Sequence, residues 1–161
     1  MKIIKHNYTG KSLLELRDEF STGKAGFYNA NWWIDESFAK EHPPRREYEI
    51  IFRPDWNNMT YEEQLDKMGN EEFLHPAILA EAILTHFRKT GERLMKNWWT
   101  RTSSVDSDGY RVYVGFFDSV GLYVSYYWDD GRRAGLGVSS ARKLSTLPEE
   151  LEINGVRYKR K

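Results

Sequence analysis

From Trp98 onward the apolar side chains of this chain recur at every second residue, whereas before it they recur mainly at three and four. That change of period commits the second part to β-structure and much of the first to helices. Residues 110–117 and 121–128 are rich in aromatic and β-branched side chains, with turn signals at residues 107–109 and 118–121, so they are predicted to pair as a hairpin. A third run around 136–139 follows Asp129-Asp130-Gly131, and residues 151–158 carry Asn154-Gly155, a strong short-hairpin signal.

The first part alternates short helices with a few extended pieces. Ser12 precedes Leu13, Leu14, Leu16 and Phe20 at helical spacing, and Gly23 offers a left-handed stop. Residues 27–33 read as extended, and Asp35 as the cap of a short turn through Phe38 and Ala39 that ends before Pro43-Pro44. Tyr48, Ile50 and Phe52 alternate with charged neighbours, which predicts a strand over 47–53. Thr60 and Glu63 have the spacing of a capping box, opening a helix to about Met68-Gly69. His75-Pro76 opens the helix with the clearest apolar arc, Leu79, Ala80, Ala82, Ile83, Leu84 and Phe87, which places Glu81, Thr85 and Arg88 opposite.

These elements predict an α+β fold: a single domain over residues 1–161, with a helix-rich half (1–95) and an antiparallel β-rich half (96–161). An antiparallel sheet of four or five strands, mostly residues 98–158, is expected to pack against a long helix (about 76–90) and shorter N-terminal helices. Composition narrows the functional classes. With no cysteine there is no disulfide scaffold, thiol nucleophile or cysteine-based zinc site. Lys+Arg and Asp+Glu balance at 24 each, which argues against a generally basic, nucleic-acid-coating surface. The balance is uneven along the chain, with 10 basic and 14 acidic residues in 1–80 and the reverse in 81–161. The first residues lack the apolar run of a secretory signal and no stretch approaches bilayer length, so a cytoplasmic location and no membrane partner are expected.

Ten aromatic residues fall within 98–128. Strict alternation puts Tyr110, Val112, Val114 and Phe116 on one face with Leu122, Val124, Tyr126 and Trp128, and that aliphatic-rich face is expected to be the core. Arg111, Tyr113, Gly115 and Phe117, with Tyr123, Ser125 and Tyr127, fall on the other. Flat rings beside a cation suit stacking of bases or of a partner's side chains, so Arg111, Tyr113, Tyr123 and Tyr127 are candidate ligand residues. The competing reading is that first-half helices cover this face. Residues 131–143 follow, with Arg132, Arg133, Arg142 and Lys143 for charge, Ser139 and Ser140 for hydroxyls, and glycines that free backbone N–H groups for an anion. Against this stands a solvated turn between strands. The segment matches neither the Walker nor the dinucleotide glycine pattern.

Short S-x-x-K and K-T-G strings at 140–143 and 89–91 occur in the wrong order and context for penicillin-recognising enzymes. The four histidines have no metal-binding spacing, and no cofactor is expected. The preferred expectation is a non-enzymatic binding module taking a phosphate-bearing ligand such as nucleic acid or nucleotide. The alternative is a protein-interaction or homo-oligomeric module with exposed Trp and Tyr as its interface. A third reading is a metal-dependent phosphoryl-transfer or nuclease-like enzyme in which Asp129 and Asp130 recruit a further acid or histidine.

Overall fold

The computed structural model describes residues 1–143 and the backbone of Glu150–Ile153 and Val156–Lys159. In chain order the elements are β1 (Lys2–Asn7), α1 (Leu13–Phe20), α2 (Ser37–Lys40), β2 (Glu47–Arg53), α3 (Tyr61–Met68), β3 (Glu71–Phe73) and α4 (Pro76–Thr90). They continue with β4 (Trp99–Val105), β5 (Arg111–Asp118), β6 (Gly121–Tyr127), β7 (Leu136–Arg142), β8 (Glu150–Ile153) and β9 (Val156–Lys159). The fold is mixed α+β. No helix among the described residues is long and apolar enough to cross a membrane.

Seven strands form one sheet in the order β1-β2-β7-β4-β5-β6, with β3 also paired to β7. Every pairing is antiparallel except β4 with β7. This sheet exceeds the four or five strands expected, because β1, β2 and β3 join it from the first half of the chain. β1 holds only two consecutive apolar residues and β3 is three residues long, so neither carries a period of its own; each is a strand because a neighbour supplies the ladder. β8 and β9 pair as a separate two-stranded sheet rather than extending the main one. Residues 27–33, expected to be extended, form turns anchored by single bridges of Phe27 to Thr22 and to Leu122.

Local chemistry sets the helix ends. The Ser12 and Thr60 side chains accept the backbone N–H groups of Glu15 and Glu63, whose carboxylates reach back to the cap N–H, two complete capping boxes. On α4, His75 Nδ1 accepts the Ala77 N–H, Pro76 occupies the first turn, and Gly91 closes the helix in the left-handed region at φ 77°. α4 lies against α1, β4 and β5. The main core between them includes Leu13, Leu16, Phe27, Trp33, Leu79, Ile83, Val112, Val114, Phe117 and Leu122. Glu81, expected on the polar arc, is buried instead: its carboxylate accepts from His6 Nε2 at 2.6 Å, from the Thr9 N–H at 3.0 Å and from the Thr9 hydroxyl.

The opposite face of the sheet has its own smaller cover. Met68, Phe73 and Val138 form a second apolar cluster, flanked by Trp56, Tyr61 and Leu65, which seats α3 over β7 and β3. One face is therefore roofed by α1, α2 and α4, and part of the other by α3.

Candidate aromatic and basic ligand site

The β5–β6 hairpin keeps simple register from Arg111↔Tyr127 to Gly115↔Tyr123, then slips before Asp118↔Gly121. The extra residue is Phe116, held in the left-handed region at φ 49°, with its N–H donating to Trp98 O and the next N–H to Met95 O. A bulge of this kind reverses side-chain parity beyond it. Phe117 consequently turns into the core, fully buried and 5.2 Å from the Phe87 ring, while Phe116 lies 5.1 Å from Trp99 on the other face. The strict alternation expected for these two phenylalanines is inverted for that reason. At the far end of β6, Tyr126 and Trp128 are 46% and 56% exposed, with Tyr126 meeting the Trp32 ring at 4.8 Å and Trp128 the Tyr110 ring at 4.5 Å.

Trp99 and Arg101 of β4, Arg111 and Tyr113 of β5, and Tyr123 and Tyr127 of β6 share the second face. Their rings form a chain. Tyr28 stacks on Tyr123 at 4.2 Å, Tyr123 meets Trp99 at 6.0 Å, Trp99 meets Tyr113 at 6.4 Å, and Tyr113 meets Tyr127 at 6.3 Å. The Arg133 guanidinium closes the row, 3.7 Å above Tyr127. One half of the row is roofed. Tyr113 is 3% exposed with no partner for its hydroxyl, and burial pushes its phenol pKa up, partly opposed by the Arg101 charge. The other half is open, with Tyr28 exposed and Trp99, Phe116 and Tyr123 half-buried. Burial and the Asp118 carboxylate raise the Tyr123 phenol as well.

The sequence pattern marked neither Tyr28 nor Trp99 of this row, nor, beside them, Arg101. It is fully buried, and its guanidinium donates to Met59 O and Gln64 Oε1 (3.0 and 2.8 Å) and to Asp129 O and Gly131 O (3.2 and 2.7 Å). It thus ties the approach to α3 and the β6–β7 loop onto the sheet. Desolvation lowers its pKa from the ordinary arginine value, with Tyr113 and Asp129 acting the other way. The available signal was its parity with Trp99, which places it beside Tyr113 in the β4–β5 register.

The predicted cations disperse. Arg111 makes a bidentate pair with Asp129 (3.0 Å to each oxygen) and lies 4.0 Å over the Tyr61 ring. Desolvation disfavours the Arg111 charge, but the Asp129 bonds outweigh it and its pKa is raised. Arg132 pairs with Glu63 at 2.9 Å. Arg133 is exposed and has no carboxylate partner among the described residues. Arg142 and Lys143 stand at the opposite end of β7, roughly 20 Å along the strand. Ser139 and Ser140 have no exposed surface; the Ser139 hydroxyl faces Met95 Sδ and the Ser140 hydroxyl donates to Glu71.

Residues 136–142 are thus an interior strand rather than an anion-cradling loop. Gly137 serves close packing, since a Cβ there would lie 2.6 Å from Arg53 O and 2.7 Å from Pro54 Cα. The structure brings together Arg111, Tyr113, Tyr123, Tyr127 and Arg133, and leaves Arg132, Ser139, Ser140, Arg142 and Lys143 outside that group. Asp129, the first acid of the metal reading, is committed to Arg111, and no group of three metal-ligating side chains occurs among the described residues. The chain matches no family model, no curated protein and no solved structure.

Proposed function

We propose that the chain is a non-enzymatic binding module that takes a phosphate-bearing ligand, single-stranded nucleic acid, along the aromatic face, with its bases on the open half. The observation that carries this reading is the continuous row of rings from Tyr28 through Tyr123, Trp99, Tyr113 and Tyr127 to an Arg133 guanidinium without a carboxylate partner among the described residues. Bases stack on the open rings of Tyr28, Tyr123 and Trp99, and a strand that continues past the roofed Tyr113 brings a phosphate to Arg133 at the far end of the row. Stacking on one ring is worth about 1–3 kcal/mol by alanine substitution. Tyr123→Ala is therefore expected to weaken binding of a fluorescent oligothymidylate at least about fivefold, and Arg133→Ala to weaken it and flatten its salt dependence. Binding that is absent, insensitive to salt, or unchanged in both variants overturns the reading.

The exposure of Tyr126 and Trp128 favours a second reading, in which these rings are the centre of a protein–protein interface. A molar mass that stays at one chain across a wide concentration range removes its homo-oligomeric form.

A further inference from the structure

A cleft of about 580 Å³ uses none of the rings of the aromatic row. It opens between the 41–48 segment, β3 and the start of α4, and its apolar wall includes Pro43, Phe73 and Leu74. A volume of this size suits a small organic molecule. Four charged side chains border it: Arg46, Lys143, Glu41 and Glu72.

Arg46 is poorly served by the protein around it. Its guanidinium lies 3.8 Å over the Tyr48 ring, which fixes its plane. Nη1 reaches only Glu47 O at 3.4 Å, Nη2 stands 4.0 Å from Glu72, and Nε is buried without a partner. A guanidinium carries five N–H donors, so most of this fork is unspent. Lys143 has no carboxylate partner among the described residues; only its backbone N–H is engaged, to Asn70 O. His75 also lines the cleft but has no free nitrogen, since Nδ1 accepts from Ala77 and Nε2 bonds Glu41 at 2.9 Å.

The balance of charge selects the ligand. A simple anion would meet Arg46 and Lys143 but also face Glu41 and Glu72, whose side chains are 56% and 44% exposed, and a simple cation would suffer the reverse. A ligand bearing both charges on an apolar body satisfies every group. We propose that this cleft binds a small zwitterion of the α-amino-acid type with an apolar side chain. Its carboxylate takes the unspent edge of Arg46 and the Lys143 ammonium, its ammonium lies towards Glu41 and Glu72, and its side chain packs on the wall formed by Pro43, Phe73 and Leu74.

The test is an NMR titration of the full chain with L-phenylalanine, 3-phenylpropionate (no ammonium) and 2-phenylethylamine (no carboxylate). Phenylalanine is expected to give saturable shifts at the Ser103 and Lys143 amides and at Arg46 Nε–H. Each single-charge analogue is expected to bind at least about tenfold more weakly, the loss of a charge-assisted contact. Arg46→Gln is expected to weaken phenylalanine to a similar extent with the rest of the spectrum unchanged, and Lys143→Gln provides a second variant, at an exposed position, with the same direction of effect. No saturable shift, shifts outside the cleft, or an analogue binding as tightly as phenylalanine overturns the proposal. None of these results bears on the aromatic face.

Discussion

Replacing Arg101 with methionine removes a buried cation and keeps most of its apolar volume. Three acceptors then lose their donor, Met59 O, Gln64 Oε1 and Gly131 O, while Asp129 O loses one of two and keeps the Tyr61 N–H. A buried polar group left without a partner costs about 1–3 kcal/mol. The full sum is not realised, because Gly131 is half-buried and the loop can lift towards water, and because the guanidinium no longer has to be desolvated. The Gln64 oxygen has no such escape, since that side chain is fully buried and its amide is already engaged with Trp56 O and Leu136 O. The net loss is expected at about 3–5 kcal/mol, the range for breaking a buried polar network by removing one charged partner. For a chain of this size that lowers Tm by roughly 6–20 °C.

Urea unfolding supplies the total, and hydrogen exchange locates it. The Tyr61 N–H donates to Asp129 O at 2.8 Å and the Asn58 N–H to Arg133 O at 2.9 Å, so both amides are expected to lose protection before the strands do. Arg101→Lys keeps the charge but not the fork, and is expected to recover only part of the loss. A methionine variant destabilised by less than about 1 kcal/mol, with Tyr61 and Asn58 still protected, would mean that the Arg101 guanidinium repays no more than its own desolvation and does not hold the loop.

The bulge in β5 predicts unequal neighbours. Phe117→Ala is expected to cost about 3–5 kcal/mol as a core truncation, and Phe116→Gly less than about 1.5 kcal/mol, because relief of the left-handed backbone offsets the lost Trp99 contact; paired urea curves with similar costs would argue against the inverted parity. Glu81 predicts a pH dependence. Its burial opposes ionisation, yet bonds from His6 and Thr9 hold its pKa below the ordinary 4.5, so the folded state binds the proton less readily than the unfolded one. Its contribution is therefore complete above about pH 4.5 and lost as pH falls through the folded value. Urea midpoints between pH 6 and 3 are expected to fall less steeply in Glu81→Gln than in the parent chain.

What could be read from the residues was local. The Thr60 and Glu63 spacing gives the start of α3 because the capping box is complete within four residues, and the alternation of Tyr48, Ile50 and Phe52 gives β2 because one face meets the core. The misreadings share a non-local origin. Glu81 sits on the polar arc of α4 in projection, but the chain after β1 folds across it and supplies hydrogen bonds. Phe116 and Phe117 exchange faces through one slipped residue that alternation cannot register. The glycines and serines near Arg132 suggested an anion loop, whereas Gly137 is small because Arg53 and Pro54 press against it, and Ser140 is polar because Glu71 lies beside it. At the candidate site the rings of Tyr113, Tyr123 and Tyr127 on the second face were legible from period two. The roof over half of them was not, because it depends on Arg101 binding carbonyls more than 25 residues away.

β7 has a further consequence for how the chain acquires its shape. Among the described residues it is the only strand shared by the β1–β2 ribbon and the β4–β5–β6 meander, taking β2 along one edge and β4 and β3 along the other. Until residue 136 has been synthesised, those two groups have no ladder in common. A nascent chain therefore carries a gap in the middle of its sheet, with unpaired edges facing each other, and closes it by threading a late segment between early ones. Such long-range closure is slow relative to helix formation. The interval in which the edges stand bare is where association with other chains competes with folding, so the yield of native protein rests on how fast seven residues near the end of the described chain find their slot.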